Sequence, residues 1–405
     1  MTRSFPIYSV QSPEHFGSLF SDVKFDEIAH AARFPALVAE VLVSSAEDEA
    51  ALEELAEAGF FVAEDRTTSI SLAGYGFADV SCWRAFVFLD GDSASRLPSA
   101  SRRAGVLADL SSSVRWFFDH GDRLSTVRQM LGISGHEGPL VMGIVNVTPD
   151  SFYEGSCAPT PDDAIQRGIA MAHAGCHIID IGGASSRPGS EPVPEAVEID
   201  RVVPVVEALS KEVSVPISID TYRAAVAEAA LAAGARIVND IYGFRVPGML
   251  ELIAGAGVPA VLMHMKGESP RTMQENPVYV DVIAEITAFF NEVLARLEKA
   301  GGSRSQVILD PGIGFGKRYE VNLDILARLP AFRSFGLPVL IGHSRKSFIG
   351  LALGGMPPAQ RLEGTIAATA LAVWQGADIV RVHDVEEAIR AVKVAKEVSA
   401  RPRTT

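Results

Sequence analysis

The feature that most constrains this chain is a recurrence that begins after Pro139: a glycine, then a short apolar run, then a polar residue. Gly175 precedes Ile178-Ile179-Asp180, Gly234 precedes Ile237-Val238-Asn239, and Gly376 precedes Ile379-Val380-Arg381, so the polar residue stands five positions after the glycine each time. Glycine suits the left-handed residue that closes a helix. A short, nearly continuous apolar run suits a strand buried on both faces of a parallel sheet. Other runs fit the series: Val141 to Val145 leads to Asn146, Val215 to Ile219 to Asp220, Val258 to Met263 to His264, and Val307 to Leu309 to Asp310. Pro338 to Ile341 leads to His343, Arg345 and Lys346. Helix-length stretches lie between these runs, one of them opened by Thr160 as N-cap with Pro161 at the first helical position. Eight alternating units over about 265 residues predict a (β/α)8 barrel, whose site lies at the C-terminal ends of its strands. One polar strand end is an ordinary cap, whereas eight together describe a pocket.

At 405 residues the chain exceeds one average domain, and the recurrence is missing from its first third. There, Ser44-Ser45 with Glu47 and Asp48 caps a helix that runs to Ala58, and Thr67 to Leu72 and Ala85 to Leu89 read as strands. Ser93 to Gly105, with Arg96, Arg102 and Arg103, reads as an exposed loop, and Asp109 to Leu131 as a helix. Ile133 to Pro139, with two glycines and a proline, reads as the linker. The expected organisation is α/β throughout: a smaller N-terminal domain over residues 1–136 and the barrel over 137–405. No motif in the first domain carries chemistry.

The formal charge of −14 argues against a nucleic-acid surface or an anionic membrane as partner, so an anionic ligand has to be met locally. Cys82, Cys157 and Cys176 form no metal spacing or disulfide framework. With no secretory signal and no apolar run long enough to span a bilayer, the expectation is a cytoplasmic protein.

Asp220, Asn239 and Asp310 combine two carboxylates with an amide, a set suited to a heterocycle edge rich in donors, such as the amino-pyrimidinone of a pterin or guanine. A paired-carboxylate glycosidase competes with this reading, but cationic strand ends do not suit a neutral sugar. Lys346, Arg381 and His383 follow the last two strands, where barrels commonly hold phosphate. Gly312, Gly314 and Gly316 surround Phe315 and leave its ring to wall a pocket. The Gly-, Ser- and Pro-rich stretches Gly155 to Pro161 and Gly182 to Pro194 are candidate lids.

Seven motifs together resemble dihydropteroate synthase over residues 140 to about 398, in that family's order. They are Asn146-Val-Thr-Pro-Asp-Ser-Phe152, Asp180-Ile-Gly-Gly-Ala-Ser-Ser-Arg-Pro-Gly189, Ser218-Ile-Asp-Thr221, Asn239-Asp240, Asp310-Pro-Gly-Ile-Gly-Phe-Gly-Lys317, Ser344-Arg-Lys-Ser347 and Arg381-Val-His383. The resemblance implies a transferase of folate biosynthesis that condenses 6-hydroxymethyl-7,8-dihydropterin diphosphate with 4-aminobenzoate and is a sulfonamide target. It implies that Asp220, Asn239, Asp310 and Lys346 bind the pterin, with Asp180, Met263 and Arg381 beside it. It further implies that Arg381 and His383 hold the diphosphate, with Asn146 assisting through Mg²⁺. Ser186, Arg187, Pro188, Phe315 and Ser347 surround 4-aminobenzoate in this reading. Asn146, Arg187, Lys346, Arg381 and His383 are its catalytic set, and the family implies a homodimer.

The second loop departs from the pattern, because Ala184-Ser185-Ser186 stands where the family usually has Glu-Ser-Thr. A hydroxyl is kept and a carboxylate is lost. Two alternatives follow: a pterin-dependent methyltransferase on the same barrel, and a non-catalytic pterin-binding paralogue.

Overall fold

A computed structural model describes residues 5–10, 36–43, 45–57, 60–71, 81–89, 109–110, 112–114, 122–147, 160–185, 193–267, 273–275 and 277–399. The loop at Ser93 to Gly105 and most of both candidate lids lie outside the described residues. The chain forms two compact units. One comprises Met1–Gly121, Tyr279–Ala295 and Pro330–Gly336, and the other Asp122–Val278, Arg296–Leu329 and Leu337–Thr405.

In the first unit, strands β1 (Ile7–Val10), β2 (Ala36–Val43), β3 (Phe61–Ser71) and β4 (Ser81–Leu89) form an antiparallel sheet in the order β1-β2-β4-β3. Alternation along the strands sends Ile7, Ala39, Val41, Ala85 and Val87 to one face. There they pack with Ala51, Leu52 and Leu55 of the helix Ala46–Glu57. Ser45 and Asp48 cap that helix reciprocally, Asp48 N donating to Ser45 Oγ (3.2 Å) and Ser45 N to Asp48 Oδ2 (3.1 Å). Between these positions the sheet buries charge: Arg84 lies 3.7 Å from Glu40 and 3.5 Å from Asp281, and Tyr8 donates to Glu40 at 2.9 Å. Buried charges persist where they are paired in this way.

The second unit is the (β/α)8 barrel. Its strands are β5 (Leu140–Asn146), β6 (Ile178–Gly182), β7 (Ile217–Asp220), β8 (Ile237–Asp240), β9 (Ala260–Met263), β10 (Val307–Asp310), β11 (Leu340–Gly342) and β12 (Ile379–Val382). All pair in parallel, in the order β10-β9-β8-β7-β6-β5-β12-β11. A bridge between Leu309 and Val339 joins the two ends of the series.

The stretch read as one helix over Asp109 to Leu131 is helical at 109–110 and 112–114, and again over Ser125–Leu131. This last helix belongs to the barrel unit. Leu124, Val127 and Leu131 pack on Leu140, Met142, Ile178, Ile237, Val261, Ile308, Leu340 and Ile379 and close the barrel's N-terminal end. Arg236 donates to the helix's last carbonyls, at 2.8 Å to Leu131 O, and Arg123 grips Asp378 through two bonds of 3.0 and 2.9 Å. The Gly- and Pro-rich stretch Ile133 to Pro139 therefore turns the chain from this plug into β5 and lies within the barrel unit. Such residues mark a change of direction, which a domain boundary does not require.

Candidate active site

Six of the eight barrel strands place a second residue two positions beyond their contribution to the plugged core, so both positions face the interior. Ile178 is followed at that spacing by Asp180, Ile237 by Asn239, Val261 by Met263, Ile308 by Asp310, Leu340 by Gly342 and Ile379 by Arg381. Gly342 adds no side chain to this layer. Asp220 ends β7 in register with Gly182 on one side and Asn239 on the other. The strand periodicity thus converts an apolar layer into a polar one within a single step.

Four of these residues form a hydrogen-bonded network, fully buried at Asp180 and partly open at Asp220 and Arg381. Arg381 donates through Nε to Asp180 Oδ2 (2.6 Å) and through Nη2 to Asp220 Oδ2 (2.7 Å), and Asn239 Nδ2 donates to the same Asp180 oxygen (3.0 Å). Asp180 is 0% exposed, yet its Oδ1 has no hydrogen-bond partner among the described residues. A buried carboxylate oxygen without a donor costs free energy, and a bound donor would recover it. Burial pushes the Asp220 carboxyl up to about 7, against the pull of Arg381. Burial also works against the Arg381 charge, but Asp180 and Asp220 outweigh it and hold that group above its ordinary value.

The opposite side of the pocket is built from the loops after β10 and β11. Asp310 accepts from Gly312 N at 2.7 Å, and burial raises its carboxyl against the pull of Lys346. Burial lowers Lys346 to about 8, although Asp310 opposes this. Lys346 donates to the Ile313 carbonyl, and its ammonium lies 4.5 Å from the centre of the Phe315 ring. Phe315 packs beside Met263, Met265 and Met273 with Tyr222 and Tyr242. Ser347 is exposed at the start of the helix Ser347–Ala352. Ser344 Oγ accepts from His383 N (3.2 Å) and lies 2.9 Å from His383 Nδ1. Burial, and next the Arg381 charge, push His383 down to about 3, which keeps the imidazole neutral.

Not every polar strand end serves the pocket. His264 is buried against Lys317, His343 lies 2.8 Å from Thr369 Oγ1, and Arg345 holds Asp384 through two bonds of 2.8 Å. Asp240 accepts from Tyr242 N and Phe244 N at 2.6 and 2.9 Å, fixing the turn after β8. Sequence reasoning missed Glu198, which accepts from Thr221 Oγ1 (2.8 Å) and Arg223 (2.7 Å) just beyond Asp220, and Arg201, which donates to Gly183 O at 3.0 Å. Their signal was one of spacing, because both lie on the helix Glu195–Glu212 that opens after the second loop. Asn146 ends β5, and its Oδ1 is 3.4 Å from where a Cβ on Gly182 would stand. Ser186, Arg187 and Pro188 lie outside the described residues.

The comparisons with known proteins agree with this geometry. The pterin binding enzyme family matches residues 142–383. The dihydropteroate synthase of Escherichia coli strain K12 is 47% identical over 258 residues, which cover 64% of this chain and 91% of that protein. The dihydropteroate synthase of Bacillus subtilis strain 168 is 45% identical over 263 residues, 65% of this chain and 89% of that protein. Among solved structures, the Yersinia pestis dihydropteroate synthase with a sulfonamide drug complex is similar at 46% identity and a TM-score of 0.62, covering 64% of this chain and 94% of that one. The Xanthomonas albilineans enzyme in complex with 7,8-dihydropteroate is similar at 42% identity and a TM-score of 0.59, covering 66% and 95%. With the motifs, the barrel and the polar layer in place, the chain belongs to the pterin-binding enzymes and, within them, to the dihydropteroate synthase family.

Proposed function

We propose that the barrel is a transferase that condenses 6-hydroxymethyl-7,8-dihydropterin diphosphate with 4-aminobenzoate, releasing diphosphate and forming 7,8-dihydropteroate. The observation that carries this reading is the buried Oδ1 of Asp180, without a hydrogen-bond partner among the described residues, in a strand-end layer shared with Asp220, Asn239 and Asp310. A pterin edge with adjacent N–H donors matches these acceptors, while Lys346 donates to the ring's acceptors. In the reaction the carbon–oxygen bond to diphosphate breaks, the arylamine nitrogen forms the new carbon–nitrogen bond, and the amine gives up a proton. Arg381 and neutral His383 lie where the leaving oxygens gather charge, so their donors act most strongly in the transition state. In this reading Asn146, Ser186, Arg187 and Pro188 keep water from the reacting carbon and orient the amine, with Phe315 and Ser347 at the amine's side.

Mg²⁺ fits this donor set. Asn146, at the end of β5, would hold the ion through its amide oxygen, a hard donor of the kind that Mg²⁺ takes. When bound, it supplies neutralisation of the leaving diphosphate.

The reading extends to a cytoplasmic homodimer. Three cysteines without a pairing pattern suit a reducing compartment. Leu371, Val394 and Val398 stand exposed on the helices Leu362–Trp374 and Val385–Ser399, an apolar surface that a second copy would cover. A monomer in sedimentation would remove that part.

The test is to incubate the protein with the pterin diphosphate, 4-aminobenzoate and Mg²⁺ and to measure dihydropteroate and diphosphate. Tight pterin binding without product would select the non-catalytic paralogue. Methyl transfer from a methylated pterin in place of condensation would select the methyltransferase.

A further inference from the structure

Lys317 closes the Gly-rich motif after β10, and nothing in the reaction as described uses it. It is 3% exposed, among the least accessible cations of the barrel. A buried ammonium needs acceptors for its three N–H donors. Lys317 Nζ has them at 3.0 Å on His264 Nδ1, 3.2 Å on His264 O and 3.0 Å on Phe315 O. An ammonium has no lone pair, so His264 Nδ1 is the acceptor and its ring is neutral. Burial, and next the Lys317 charge, press that imidazole well below its ordinary value, in agreement. The cation therefore ties the exit of β9 to the backbone of the residue whose ring faces Lys346.

The glycines of the motif show how tightly the two loops are joined. A Cβ on Gly312 would stand 2.0 Å from His264 O, and one on Gly316 would stand 2.5 Å from Lys266 O. Both glycines have positive φ, 70° and 62°, so the turn is closed by backbone conformation as well as by contact. Gln274 Nε2 adds a bond of 2.7 Å to Gly314 O from the β9 side. Within this clamp Phe315 is the residue whose carbonyl is held by Lys317 and whose ring is held by the cation of Lys346.

We infer that Lys317 is a positioning residue for this reaction: through the Phe315 carbonyl and His264 it fixes the angle at which the Phe315 ring is presented to 4-aminobenzoate. The inference rests on the reading of Phe315 as a wall of the aminobenzoate subsite. It makes Lys317 a determinant of arylamine affinity although it touches neither substrate.

Steady-state kinetics on the full chain test it with Lys317→Met, Phe315→Ala and the double variant, with pterin-diphosphate affinity measured alongside. Expected is a rise of about tenfold or more in KM for 4-aminobenzoate in each single variant, with kcat and pterin-diphosphate affinity within about threefold, the pattern of lost binding without lost chemistry. The double variant should be no worse than Phe315→Ala, because both substitutions disable the same wall. If Phe315→Ala raises KM and folded Lys317→Met does not, losing only melting temperature, the inference about Lys317 is overturned and the subsite stands. If Phe315→Ala leaves KM unchanged, the subsite reading fails and the inference falls with it. Should Lys317→Met not yield folded protein, Lys317→Gln, which keeps two donors without the charge, takes its place with the same outcomes.

Discussion

Two layers of one barrel lie a single strand period apart and serve opposite ends. The lower layer, with Ile178, Ile237, Ile308 and Ile379, is apolar and sealed by Leu124, Val127 and Leu131, so its contribution is burial. The upper layer, with Asp180, Asn239, Asp310 and Arg381, is held by hydrogen bonds among charged and amide groups and leaves Asp180 Oδ1 without a partner among the described residues. Side-chain pairs at i and i+2 share a wall, so the same backbone that satisfies one layer exposes the other to a ligand. The first unit also buries charge, at Glu40, Arg84 and Asp281, beside an antiparallel sheet. Buried charge alone does not make a site. Buried charge gathered at the strand ends of a barrel, above a closed core, does.

The contrast breaks most severely at Asp180. Asp180→Ala removes the acceptor that serves both Arg381 and Asn239, and loss of one partner from a buried ion pair costs on the order of 3–5 kcal/mol. Urea unfolding should register that loss, and the pterin site should fail with it. Two residues earlier, Ile178→Ala should cost about 2–5 kcal/mol of stability through the cavity it leaves. Turnover per folded molecule should nevertheless stay near that of the wild type, and a matching loss of turnover would erase the division between layers.

At the chemical step, Asn146→Ala and Arg187→Ala should lower kcat by tenfold or more, about 1.4 kcal/mol of transition-state stabilisation, with pterin-diphosphate affinity changed less. Normal turnover in both would mean that these residues only cap turns.

Titration gives smaller effects in the two regions, of one origin, burial, and opposite direction. In the upper layer, burial first, opposed by Arg381, puts the Asp220 carboxyl at about 7. The carboxylate accepts ligand donors, so pterin affinity should fall as pH drops below about 7, and Asp220→Asn should flatten the profile. At the lower end, His177 Nδ1 accepts from Val141 N at 3.0 Å, and its Nε2 lies 3.1 Å from His136 Nδ1. Burial, and next His136, push His177 down to about 4. The unfolded chain binds a proton near pH 6.5, so between that value and about 4 it holds more protons than the folded chain. The His177 contribution to stability is therefore complete above about pH 6.5 and is lost as pH falls toward 4. The difference in unfolding free energy between wild type and His177→Gln should shrink across that window, and a constant difference would exclude the assignment.

Much of this was legible in the sequence because strand burial writes itself as apolar runs and the polar residues interrupt those runs at fixed intervals. Asp180, Asn239 and Arg381 could be placed in one pocket from the glycine spacing alone. What stayed hidden depended on direction. His264, His343 and Arg345 occupy the same strand ends, yet their side chains turn to Lys317, Thr369 and Asp384. Linear spacing does not report which wall of a loop a side chain meets. The plug at Ser125–Leu131 was concealed for a similar reason, since its apolar face reads like any amphipathic helix and only the closed barrel supplies its partner. The direct pairing of Arg381 with Asp180 and Asp220 was likewise out of reach, because those residues lie on strands far apart in sequence.

If the upper layer holds the pterin ring, calorimetric titration of the pterin diphosphate into wild type, Asp220→Ala and Asn239→Ala will show it. Each substitution should weaken binding by about 1–3 kcal/mol, the cost of one lost buried hydrogen-bond partner, in protein that remains folded. Unchanged affinity in both variants would contradict the account, because the two side chains at the centre of the polar layer would then have no part in holding the ligand.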